Sequence, residues 1–590
     1  MNLLSSKDRQ AGSTLAVVLV MCSVTLMILG SMLSWVSTST TLSQRNNEYF
    51  RTVAVAEAAT EKVIARITED YKRGGDRMVV ANAVTYSEVL PTAAENARFG
   101  HYKFSDGLGN GGRVLVQNTA PTEFRVLASQ YRGLRGYSTP FTITAHAQET
   151  DTLFRIPAGV RQDIDATAIP LFQFAIFYNI DMEVNPGPDM IVNGLVHGNE
   201  NIYLQPQSTL TFQDSVTAAG KIINDKKAGD PSSRPVGKIV FQGERDSGTS
   251  SLNLPIGTDN TAAAVRKVIE PPPSGESPTS PLGSERFYNK ADLIITIPAG
   301  SSGSGSGAIT VTSGVRNNKG TTVPQAQWDA KASTAGFLKE VSFYNAREHK
   351  TVTALEIDVG RLKNWSGQTT NMLRPTLPSG DVTVIYVDDK RAAGSLTEPG
   401  VRLVNGATLP SKGLTVVTPV PLYVQGDYNT TDDSGNRSTG NSTTYTKPAA
   451  LIGDAVTVLS GSWSDANSTA PLSSRTATDT TVNAAFLAGV VETTSGSYSG
   501  GVENFPRFLE NWSGRNLTYN GSMVVMFPSQ IATGRWGGTG DSYGIYNPPT
   551  RRWAFDTNFR DVTKLPPGTP MARKIVRSLW ATVKPPAPAR

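Results

Sequence analysis

The sequence predicts a mainly β protein behind one long N-terminal α-helix, with a body of β-solenoid or β-sandwich type. Three observations predict it. Residues 15–36 (LAVVLVMCSVTLMILGSMLSWV) run without a charge or a proline. Residues 42–72 lack Gly and Pro and are rich in Ala, Glu, Arg and Lys, most of them good helix formers. Beyond residue 80, short β-branched and aromatic runs alternate with Gly, Asn, Asp, Pro, Ser and Thr, the punctuation of strands and turns.

The apolar run comes first. As a helix, residues 15–36 cover about 33 Å, enough to cross a bilayer core. Leu15, Val17, Leu19, Leu26, Ile28 and Leu29 form its apolar surface, and Trp35 stands at the far end, where an amphipathic ring favours the membrane interface. A secretory signal would be followed by a small-residue cleavage site and a break in the pattern. Here the pattern continues. Val53, Ala56, Thr60, Val63, Ile67 and Asp70 recur every three or four residues as one mostly apolar stripe, and Val53, Val63 and Ile67 are expected to pack against neighbouring helices. Gly74-Gly75 are expected to stop the helix. The expectation is one helix over 13–73, roughly 90 Å long.

Ahead of it lie a short polar leader with Lys7 and Arg9, then Gln10-Ala11-Gly12, then Ser13-Thr14-Leu15. With RNNEYFRTVAVAEAATEKVIARI (45–67), this layout resembles type IV pilins and type II secretion pseudopilins, and more closely the PilX-type minor pilins. The resemblance implies that a prepilin peptidase removes the leader (1–12) after Gly12, leaving an N-methylated Ser13. It also implies assembly with other pilin-like subunits in a type IV pilus or pseudopilus. The helix would sit in a bacterial inner membrane, with the body periplasmic or extracellular. The family's pattern has glutamate five residues into the mature chain, where this sequence has Val17. Components that cap a pilus tip also lack it, which points to a minor or tip role. The alternative is a plain, uncleaved membrane anchor.

The body follows. Residues 80–168 are expected to form a β-rich domain, with consecutive antiparallel strands in 98–148 turning at Asp106-Gly107 and Gly111-Gly112. The run GLGNGG (107–112) lacks the flanking strand and helix of a phosphate loop; it reads as a hairpin loop. Over 169–300, apolar pairs recur every six to nine residues (Met190–Val192, Leu195-Val196, Ile202–Leu204, Leu210–Phe212, Val216). That spacing suits a β-solenoid, whose short strands stack coil upon coil; a meander of hairpins is the competing reading. Residues 271–284 and 299–307 are Pro/Gly/Ser-rich and read as linker or loop. The region 308–590 is expected to be β-rich, with strands at Val382–Val387, Val401–Val404, Leu414–Val417 and Leu422–Val424, preceded by one over 291–297. Short helices are expected at Ala326–Phe337 and around Ile357–Trp365. The segments 194–204, 286–296, 343–359, 399–429, 500–512 and 549–559 resemble the body behind PilX-type N-termini, a family without established catalytic activity. A non-enzymatic protein is therefore expected.

Composition narrows the chemistry. The chain has 590 residues with 38% hydrophobic and 18% charged, so it can bury cores and is not a charge-driven disordered protein. A net charge of +5 over that length does not suggest nucleic acid as a partner. Cys22 stands alone, which excludes an intrachain disulfide, and His101, His146, His197 and His349 are too far apart for a local metal site.

Four clusters remain. Asp427, Asn429, Asp432, Asp433 and Asn436 offer alternate oxygens of the kind Ca²⁺ takes, although Asx-rich segments usually form turns. Asp388-Asp389 before Lys390-Arg391 resemble the charged groove of a polysaccharide lyase, or a charged turn. Arg347-Glu348-His349 with Asp358 suggest an acid/base site, or a surface strand end. Glu503, Arg507, Trp512 and Arg515, near Tyr519, suggest an exposed patch for a surface glycan, or a packed corner. The alternative function is thus a membrane-tethered carbohydrate-binding protein or β-helical polysaccharide-active enzyme.

Overall fold

The computed structural model describes residues 11–127, 133–231, 234–300, 309–314, 320–368, 373, 377, 381–540 and 542–584. Most of the leader therefore lies outside the described residues, as do 301–307 of the second Gly/Ser-rich run. The N-terminal helix spans Ala11–Tyr86. Its regular course is interrupted at Gly75, where a stop was expected, and a second helical stretch follows directly, up to Tyr86. Gly75 takes φ 61°, ψ −153°, a left-handed value that costs glycine little, and the chain turns back on itself there. Asp70 Oδ2 accepts hydrogen bonds from Asn82 Nδ2 (2.8 Å) and Tyr86 Oη (3.0 Å). In a straight helix residues 70 and 86 stand about 24 Å apart, so the last turns fold against the end of the main rod.

The first sheet comprises β1 (Tyr102–Ser105), β2 (Leu115–Asn118), β3 (Glu123–Val126), β4 (Arg135–Glu149) and β5 (Pro157–Pro170). The early strands are antiparallel as expected, but they do not pair consecutively. All three short strands lie along β4, which is long enough to take them in series. On the helix-facing side β4 offers Ile143, Ala145 and Ala147, and β5 offers Ala158, Val160, Ile164 and Ala166. Ala56 and Ala59 on the helix meet these small side chains, which lets rod and sheet approach closely.

Parallel ladders follow: β6 (Ile176–Tyr178), β7 (Met182–Val184), β8 (Met190–Val192), β9 (Val196–Gly198), β10 (Ile202–Leu204), β11 (Thr209–Phe212), β12 (Val216–Ala218), β13 (Ile222–Ile223), β14 (Lys238–Phe241) and β15 (Arg245–Ser247). β7, β10 and β13 stack in parallel, as do β8, β11 and β14, and β6, β9, β12 and β15. This excludes the hairpin meander for 176–247. Met182 lies beside Ile202 and Ile202 beside Ile222, a step of twenty residues. Polar side chains repeat at the same step: Asp181 Oδ1 accepts from Asn201 N, and Asn201 Oδ1 from Lys221 N. Buried Met182, Ile202, Leu210 and Phe212 fill the interior.

A second parallel region contains β16 (Leu293–Ile297), β17 (Thr310–Ser313), β18 (Leu338–Asn345), β19 (Lys350–Asp358), β20 (Val384–Asp389), β21 (Thr397–Val404), β22 (Leu414–Val417), β23 (Leu422–Gln425), β24 (Ala449–Gly453), β25 (Val456–Leu459), β26 (Thr480–Val490), β27 (Asn516–Pro528) and β28 (Thr550–Phe555). The expected strands are present: β22 has the expected range, β23 runs one residue longer, and β16, β20 and β21 start at other residues than expected. Of the two expected helices, the second forms as Val359–Gly367, capped by Asp358. The first shrinks to Gln325–Trp328, after which Asp329 bridges to Leu338 instead. Pro281–Glu285, at the end of the expected linker, is helical, with Ser280 as its cap. β27 pairs with β6, so one twelve-stranded sheet runs from the twenty-residue ladders through the second region. The last strand, β29 (Met571–Val583), returns to pair antiparallel with β5 and touches the N-terminal helix. The 80–168 sheet is therefore completed by residues from the far end of the chain.

Candidate functional site

Every residue described from Thr14 to Asn47 is exposed, and the helix first becomes buried at Glu48. Thirty-four residues, about 51 Å of helix, thus project from the body. Leu15, Val17, Leu19, Leu26, Ile28, Leu29 and Trp35 are all more than half exposed. Gly12 and Ser13 lie in the first turn. Two hydroxyls within the apolar part are bonded to the helix's own carbonyls. Ser23 Oγ donates to Leu19 O and Thr25 Oγ1 to Met21 O, each at 2.7 Å. Such back-bonding satisfies those two donors without a partner outside the helix. By length and composition this helix can cross a membrane.

The body grips the rod at a defined collar. Glu48 Oε1 accepts hydrogen bonds from Ile156 N (2.6 Å) and Thr152 Oγ1 (2.8 Å), while the Arg45 guanidinium lies 5.7 Å from the Phe154 ring. Deeper in, Gln162 Nε2 donates to Thr60 Oγ1 and Glu61 Oε1. Arg577 of β29 meets both Glu61 oxygens, at 2.5 and 2.7 Å. That guanidinium holds the Glu61 carboxyl below its ordinary value, against the effect of partial burial. Sequence reasoning missed these collar contacts, because their partners lie about a hundred or more residues away.

The apolar stripe requires correction. Val53 is 9% exposed and Val63 and Ile67 are fully covered, packed on β4 and β5 within the chain's own second core. They are not an inter-subunit seam. The surface open to other helices is the free half, residues 14–47.

The remaining candidates dissolve into structure. Asn429 is turned inward, its amide donating to Lys447 O and Asn483 O. Asp432 caps its own turn through Ser434 N and Asn436 N, Asp427 accepts from Thr481 N, and Asp433 pairs with Lys363 and Lys447. Their oxygens do not converge, and among the described residues no group of three His, Cys, Asp or Glu is placed to hold a metal ion. His349 sits in the tight β18–β19 turn at φ 55°. Beside it, Glu348 and Arg507 form a buried ion pair at 2.6 Å, and burial with Arg507 nearby pushes Arg347 down to about 9. Asp389 is clamped by Arg391. Of the two readings of the 503–519 cluster the packed corner fits: Glu503, Arg507, Trp512 and Tyr519 are all buried, and Arg515 is exposed.

The largest concavities lie elsewhere, along the seam between the twenty-residue ladders and the second parallel region. Two adjoining hollows of about 510 and 840 Å³ share Gly187, Pro188, Glu503 and Arg551. Their walls come from the β7–β8 loop, the segment 536–546, and the start of β28. Of the candidate residues named from the sequence, Glu503 lines both hollows.

No family model and no curated protein matches the chain. The crystal structure of the competence-associated pilin ComZ from Thermus thermophilus is similar at 12% identity, over 91% of this chain and 98% of that one. The TM-score is 0.21, too low for the likeness to carry an argument.

Proposed function

We propose that this chain is a non-enzymatic, pilin-like envelope protein. Its free helical half is both membrane anchor and assembly element, and its β body is displayed outside the cytoplasm. One observation carries the reading. The helix leaves the body with all of residues 14–47 exposed, 15–36 of it an uninterrupted apolar run, and in water such a surface needs a bilayer or other helices to cover it. The Gln10-Ala11-Gly12/Ser13 junction ahead of it supports processing by a prepilin peptidase, and Val17 supports a minor or tip role. The step of twenty residues up to β13, and of twenty-nine to β14 and β15, supports reading 176–247 as coils of a short β-solenoid. Intact-mass analysis of protein extracted from native membranes tests the proposal. A chain starting at Ser13 and carrying one methyl group is the expected result; one starting at Met1 would sink prepilin processing.

A further inference from the structure

We propose that the groove between the two parallel regions is a binding site for a neutral oligosaccharide. Three features of the groove lead there.

The first is a rigid aromatic wall. Trp536 is half-buried, with Tyr498 packed edge-on against it at 5.3 Å and 86°. Its Nε1 donates to Tyr546 Oη at 2.9 Å, and that hydroxyl donates to Asn504 Oδ1. Asn185 Nδ2 in turn donates to Tyr498 Oη at 2.9 Å. On the other side of the groove stand half-buried Trp553 and exposed Ile191. Flat apolar faces fixed in advance suit the apolar faces of pyranose rings, and prior fixing lowers the ordering cost of binding.

The second is a set of planar polar groups held in place. Arg551 Nε donates to Glu503 O at 2.9 Å and its terminal nitrogen to Asn504 Oδ1 at 3.2 Å. The guanidinium is thus a braced plate at the junction of the two hollows. Asn441 and Gln213, both exposed, line the wider one and supply paired donors and acceptors of the kind vicinal hydroxyls need.

The third is charge. Arg234, Arg551 and Arg552 face Asp189, Asp230 and Glu503, three against three. A polyanion site needs an excess of cations, so a nucleic acid or sulfated chain fits poorly. Each hollow falls in the ~300–1,000 Å³ range of ligand sites.

The proposal stands on the body and is independent of how the N-terminus is processed. The test uses the full chain in nanodiscs, titrated with cellohexaose, laminarihexaose and chitohexaose while tryptophan fluorescence is followed. Saturable binding of at least one hexaose is expected, weakened about tenfold by Trp536→Ala. Because Trp536 is packed, the exposed double variant Ile191→Ala/Arg552→Ala is measured beside it, with thermal melting as the control for folding. It is expected to weaken binding with its melting point unchanged. Binding by none of the three sugars would overturn the proposal, as would binding that both variants leave intact. Tighter binding of heparin, a thymidine oligonucleotide or an unstructured peptide would also overturn it, in favour of that ligand class.

Discussion

The two halves of the N-terminal helix are made of similar secondary structure and do opposite things. Residues 14–47 bury nothing against the body, whereas from Glu48 to Tyr71 the rod presents Ala56, Ala59, Val63, Ile64 and Ile67 to a sheet that covers them almost completely. Composition separates them. Within the free half, 15–36 is apolar nearly all round, as a membrane span is, and 37–47 is polar. The gripped half is apolar on one side and carries Arg51, Glu57, Glu61 and Lys62 beside that stripe. A rod that is all-apolar at one end and amphipathic at the other transmits the position of its anchor directly to the body, with no flexible joint between.

The contrast makes separable predictions. Ile67→Ala, in the gripped half, removes a fully buried side chain and is expected to cost about 2–5 kcal/mol of body stability. Thermal melting reads that loss, and membrane association is expected to stay unchanged. Leu26→Asp, in the free half, should do the reverse. A carboxylate at mid-span costs about 2.5–3.5 kcal/mol of insertion, so the protein is expected to shift from membrane to soluble or aggregated fractions without a change in body melting.

Gly75→Ala tests the fold-back between them. The position needs φ 61°, and an added Cβ would stand 3.1 Å from Arg573 Nε, so a cost of about 1–2 kcal/mol is expected. Substitution of Arg577 by Ala should matter least. The pair with Glu61 is 58% and 37% exposed, and such pairs contribute no more than about 1 kcal/mol. Its sign with pH is fixed. Glu61 is held below the ordinary carboxylate value of 4.5, so the pair's contribution is present above that value and lost as pH falls through the lowered one. Arg577→Ala is therefore expected to lower the melting point at neutral pH by that small contribution and to change nothing below the lowered value, which flattens the acid limb of a melting-point-against-pH curve.

Interior carboxyls sharpen the comparison from the other side. Burial pushes Glu398, Glu503 and Glu510 each up to about 7. A carboxyl raised on folding makes the protein less stable as pH rises from the unfolded value to the folded one. Glu510→Gln, which keeps a group able to accept from Ser460 N, is expected to reduce that loss between about pH 4.5 and 7.

What could be read from the sequence follows the range of the interaction. The span, the amphipathic stripe and strands such as β16 and β22 are written in local periodicity, and they stand where that periodicity puts them. The stripe's partner was not legible. Val53, Val63 and Ile67 are equally suited to a neighbouring helix or to a sheet of small residues, and only the distant β4, β5 and β29 decide between them. Gly74-Gly75 carried a stop signal and Gly75 does break the rod, but the second helical stretch that folds back, with Asn82 and Tyr86 bonded to Asp70, was not legible. In 176–247 apolar pairs every six to nine residues pointed to stacked short strands, although not to the step of twenty residues between coils. In the second region Ile385 lies beside Val416 and Val416 beside Leu451, steps set by loops of unequal length, which leave no period to find. The groove was invisible for the same reason, since Pro188, Glu503, Trp536 and Trp553 meet from four separate segments.

The most direct test of the helix's division uses its own chemistry. Cys22 is the chain's one cysteine and is exposed in the free half. Charged, membrane-impermeant maleimide is applied to native membranes and again after dissolution in SDS. Covered by bilayer or by neighbouring helices, Cys22 is expected to stay unlabelled until SDS is added. Full labelling in the intact membranes would show the free half standing in water, and would contradict the account.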